Sequence, residues 1–102
     1  MENHNLLEIV KQYYEFRGLT QPDNNQAFLF LTSEVGELAD AFVADQADWV
    51  RNNPNKHRSV PDEIGDVLMM LTVFSITMGI DPVQAMIDKM KRKGFTTDEQ
   101  SD

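Results

Sequence analysis

Glu34-Val35-Gly36-Glu37 and Glu63-Ile64-Gly65-Asp66 each set two acids three residues apart inside an apolar run. Positions i and i+3 share one face of a helix, with side-chain origins roughly 5 to 6 Å apart, so each pair aims two carboxylates at one place. If the two helices pack together, four carboxylates converge. In a half-dry groove they repel one another unless a hard cation neutralises them, and carboxylate oxygens are the ligands magnesium prefers. The pattern therefore points to a magnesium site in a helical bundle, with manganese also compatible with all-oxygen ligation. A di-iron bundle would use Glu-x-x-His motifs, and the two histidines, His4 and His57, stand in neither pair.

The competing account is an ordinary solvated face, since one such pair on a helix is common. Two observations weigh against it. Each pair adjoins a stripe that has to be buried, and the second apolar run offers almost no other polar surface. A structural ion-pair network is also disfavoured, because neither run contains a Lys or Arg near these acids.

Four helices are expected to position the acids. Leu6, Val10 and Tyr13, flanked by Leu7 and Tyr14, recur at helical spacing, and Gly18 supplies a stop. Asp23 with Gln26 three residues on forms a capping box, predicting a second helix from about Asn24 into the Ala44 region. Its stripe is Phe28, Leu31, Val35, Leu38 and Phe42, which must face other helices, with Glu34 and Glu37 just to one side. From Asp45 to Val60 the periodicity breaks around Asn52-Asn53-Pro54-Asn55, a connection with a short helical start near Trp49.

Ser59 or Val60 before Pro61-Asp62-Glu63 fits the start of a third helix running to about Met78. Its stripe is Ile64, Val67, Leu71, Phe74 and Met78, but Leu68, Met69, Met70, Val73 and Ile76 make it apolar on nearly every side, as a central or shared helix would be. Gly79 ends it. Asp81 and Pro82 open a short fourth helix carrying Val83, Met86, Ile87 and Met90. Residues 1–95 thus read as one all-α domain and 96–102 as a polar tail.

At 102 residues the chain is one domain near the lower end of what buries a self-sufficient core, and its 41% hydrophobic content suits burial within an oligomer. A net charge of -8, from 17 acidic and 9 basic residues, argues against a surface that tracks nucleic-acid phosphates. With no cysteine, disulfides, zinc-thiolate sites and cysteine nucleophiles are out of consideration. The polar start and the lack of an apolar run of roughly 20 residues predict no membrane span and a cytoplasmic location.

Taken together, Ser33-Glu34-Val35-Gly36-Glu37-Leu38-Ala39, Asp62-Glu63-Ile64-Gly65-Asp66-Val67-Leu68 and Gly79-Ile80-Asp81 closely resemble the MazG-type nucleoside triphosphate pyrophosphohydrolases of the all-α NTP pyrophosphatase superfamily. The resemblance runs from the second helix to Lys89. It implies a four-helix fold assembled as dimers or tetramers, magnesium held by Glu34, Glu37, Glu63 and Asp66, and nucleoside triphosphates cut to monophosphate and pyrophosphate. Ser33 stands where many members carry a glutamate, and Lys93 and Thr96 stand near positions where an asparagine and an arginine are frequent. Lys89 matches a phosphate-binding lysine.

Such chemistry needs an in-line water, a base and neutralised phosphate charge. Glu34 and Glu37 are the expected catalytic carboxylates, with Glu37 accepting the water's proton. Of the nine cations, Lys89, Lys91, Arg92 and Lys93 cluster at the end of the fourth helix, where cations also favour the helix dipole. Lys89 is the best placed for a phosphate; Lys56, His57 and Arg58 form a second basic group. Aromatic platforms for a base are Trp49, Phe30, Tyr13 and Tyr14, each also suited to packing. Alternatives are a non-catalytic helical dimerisation module, or a phosphoribosyl-ATP or dUTP/dCTP-specific hydrolase of the same superfamily.

Overall fold

The computed structural model describes residues 5–46 and 59–96, and four helices make up nearly all of them: α1 (Leu6–Arg17), α2 (Asn24–Gln46), α3 (Val60–Thr77) and α4 (Pro82–Arg92). No strand occurs among the described residues. Each boundary has a local cause. The Asn5 side chain accepts the Glu8 amide at 3.2 Å, and α1 closes on Gly18 at φ 66, a left-handed turn that glycine takes without steric cost.

Asp23 and Gln26 form the expected capping box ahead of α2, at 2.8 and 3.3 Å. Ser59 caps α3 with Pro61 in its first turn, and Asp81 accepts the amides of both Val83 and Gln84 at the start of α4. The basic triplet Lys56-His57-Arg58, Trp49 and residues 97–102 lie outside the described residues.

The central role expected of the third helix holds: α1, α2 and α4 all pack on α3. α2 and α3 form an antiparallel hairpin. The Phe28 ring meets Phe74 at 5.6 Å, and the Asn24 side-chain amide donates to the Met78 sulfur at 3.9 Å, so the start of α2 lies against the end of α3. The core joins Val10, Ala27, Met70 and Val73, with Tyr14, Leu31, Met69, Phe74 and Ile76 around them. Thr72 and Ser75 are also buried, and each spends its hydroxyl on a carbonyl one turn back, at 2.8 Å, so neither is left unsatisfied.

The helix faces differ from the periodicity in one respect. Ala27, Ala41 and Ala44, with Glu34 and Glu37, take the side of α2 that meets α3, while Phe28, Val35 and Phe42 are 50%, 48% and 57% exposed. Methyl-sized side chains let the two backbones approach closely, and the bulky residues are left flanking that contact. On α3 likewise, Glu63, Met70 and Val73 face inward, whereas Ile64, Leu71 and Met78 lie outside. Among the described residues no single helix is long and apolar enough to cross a membrane.

Candidate metal centre

Three of the four acids meet. Glu34 and Glu37 on the inner face of α2 and Glu63 in the first turn of α3 each offer an oxygen lying within 4.8 Å of the others. The caps of α3 set this meeting: Ser59 and Pro61 fix where the helix begins, and hence the angle at which Glu63 leaves it. An acid there also benefits from the positive end of the helix dipole. Glu63 is buried, at 7% exposure; Glu34 and Glu37 are half-buried.

The electrostatics are those of a site short of positive charge. Burial pushes the Glu34 carboxyl above its ordinary range, and the charges of Glu37, Asp66 and Glu63 push the same way, as does a hydrogen bond shared with Glu37. Glu34 Oε1 is buried without a hydrogen-bond partner. An all-oxygen donor set with one buried, unengaged oxygen fits a hard divalent cation.

Asp66 lies one turn further along α3. It is close enough to act on Glu34 but stands outside the tight triad. It lines a cleft of about 400 Å3 between α1 and α3, whose other walls include Ile9, Tyr13, Gly65 and Met69. The cleft was not legible in the motifs, although Tyr13 was among the aromatic candidates; Gly65, in the second acidic motif, is one of the residues that line it. Of the other aromatic candidates, Tyr14 packs on the core and Phe30 is exposed. Burial beside Tyr13 raises the Tyr14 phenol above its usual value.

Lys89 is not brought to the acids within the chain. It sits on exposed α4 beside Met86, Met90, Lys93 and Phe95. From Asp66 to the end of α3 is a rise of roughly 16 Å at 1.5 Å per residue, and α4 then leaves at 91°.

Comparison of the chain with protein-family models, curated proteins and solved structures gives no match.

Proposed function

We propose that the chain is a magnesium-dependent nucleotide pyrophosphohydrolase, converting nucleoside or deoxynucleoside triphosphates to the monophosphate and pyrophosphate in the cytoplasm. The observation that carries this reading is the convergence of Glu34, Glu37 and Glu63 from two helices within 4.8 Å. These three, with Asp66 at the rim, would hold magnesium or manganese. When bound, the ion supplies neutralisation of triphosphate charge and a lowered pKa for a ligated water.

The chain's own residues do the rest. Glu37 takes the proton of the attacking water on a carboxylate oxygen. The water oxygen bonds to the first phosphorus, the bond from that phosphorus to the bridging oxygen of the second phosphate breaks, and pyrophosphate leaves with the electron pair. The cleft beside Asp66 is large enough to take a nucleoside, with Tyr13 as its aromatic wall and apolar α1 and α3 side chains shielding it from water.

A panel of nucleoside and deoxynucleoside triphosphates with magnesium, scored for pyrophosphate against orthophosphate, tests the proposal. Pyrophosphate release is expected, and it should fall by a factor of 100 or more in Glu37→Gln and markedly in Asp66→Asn. No turnover of any nucleotide by folded protein that takes up magnesium would leave the non-catalytic module as the better account.

A further inference from the structure

We propose that Tyr13, its hydroxyl positioned by Arg17, selects nucleotides whose base carries a carbonyl oxygen on the edge farthest from the sugar, and discriminates against those carrying an amino group there. The inference rests on the pyrophosphohydrolase reading and adds a substrate class to it.

The cleft between α1 and α3 has two ends. Gln21, just beyond α1, donates its side-chain amide to the Val73 carbonyl at 3.4 Å, so α1 ends beside the second half of α3 and runs in the same direction. Asp66, one turn on from Glu63, therefore marks the acidic end, and Tyr13, in the second half of α1, stands toward the other. From Asp66 to Thr72, the last α3 residue in the wall, the helix rises about 9 Å. A nucleoside covers such a length from its sugar to the far edge of its base, so phosphates held at the acids bring that edge to Tyr13.

The donors and acceptors at Tyr13 fix what the edge must be. A phenol has one proton to give and lone pairs to receive. Arg17 Nη1 donates to the Tyr13 oxygen at 2.8 Å, with the guanidinium carbon 5.8 Å from the ring centre, so the cation sits at the hydroxyl end of the ring. A guanidinium has no acceptor, so the phenol proton cannot go to Arg17 and stays available. Thr72, the other hydroxyl in the wall, donates to the Leu68 carbonyl at 2.8 Å. The end of the cleft away from Asp66 thus presents a phenol O–H backed by a positive charge, between aliphatic and thioether side chains.

The substituent farthest from the sugar is a carbonyl oxygen in uracil, thymine, guanine and hypoxanthine, and an amino group in cytosine and adenine. A carbonyl accepts the Tyr13 proton. An amino group sets N–H against O–H and leaves two donors unpaired in an apolar cleft beside a cation, which is worse than a contact merely missing. Tyr13 is therefore the specificity-determining residue and Arg17 a positioning residue that acts through it.

Matched pairs that differ at that edge test the proposal: dUTP against dCTP, and dITP against dATP, each with magnesium. The carbonyl member of each pair should show a kcat/KM about 10-fold higher, the size of one hydrogen bond made or lost, with the difference carried by KM. Tyr13→Phe and Arg17→Gln should each bring the ratio toward one, and Arg17→Lys, which keeps a cationic donor, should restore part of it. A merely structural effect would lower both members together and leave the ratio where it was. Equal kcat/KM within both pairs, or a ratio that survives Tyr13→Phe, would overturn the proposal.

If the chain cleaves no triphosphate, the catalytic reading fails and binding decides this one. The chain has two tyrosines, so the ring signals of isotope-labelled Tyr13 can be assigned in magnetic resonance spectra with the Tyr13→Phe variant. They should move on titration with dUMP and much less with dCMP. Equal movement, or none with either nucleotide, would overturn the selection of carbonyl bases.

Discussion

Glu34 carries the most informative imbalance in the molecule. Its folded-state proton affinity exceeds that of an ordinary carboxyl, so the fold binds a proton there more tightly than the unfolded chain does. The stability this contributes is fully present below the ordinary carboxylate pKa and is lost as pH rises through the raised folded value. In EDTA, the thermal midpoint should therefore fall between weakly acidic and neutral pH, and magnesium should remove that fall. Glu34→Gln should flatten the profile, raise the metal-free midpoint at neutral pH, and abolish stabilisation by magnesium. Scanning calorimetry across pH checks all three. Gly65 gives a second residue-level outcome. A Cβ there meets no neighbour within 4 Å, so Gly65→Leu should fold yet reach into the α1–α3 cleft and fill it, appearing as a raised KM for nucleotide with little change in kcat.

At the level of elements, the hairpin depends on small side chains between its two rods. Ala41 is fully buried where α2 meets α3, so Ala41→Leu should cost about 1 to 3 kcal/mol by overpacking, measured by urea unfolding. Asp81→Ala removes both cap bonds of α4 and should cost about 1 kcal/mol, read as lost helicity and faster amide exchange in residues 82–92. The four helices and their ends were legible because Asp23, Pro61, Gly79, Asp81 and their neighbours act within one turn of themselves. Which face of α2 meets α3 was not legible: periodicity reports that a stripe is apolar, and the bulkiest stripe looks like the core. The observed contact is decided by how closely two backbones approach, which favours Ala27, Ala41 and Ala44. The same distinction explains the site. Spacing was enough to bring Glu34 and Glu37 together, and capping placed Glu63 opposite them. The offset of Asp66 toward α1 depends on how α1 packs, and no local pattern encodes that.

For the molecule as a whole, a radius of gyration of 16.7 Å exceeds the roughly 13 Å of a compact domain this long. One further property follows from every other helix resting chiefly on α3. The structure is wired as a hub with spokes, so the two short outer rods can each swing open without consulting the other, while nothing can detach the middle one short of complete collapse. The backbone around Val73 should accordingly be the last place to take up deuterium.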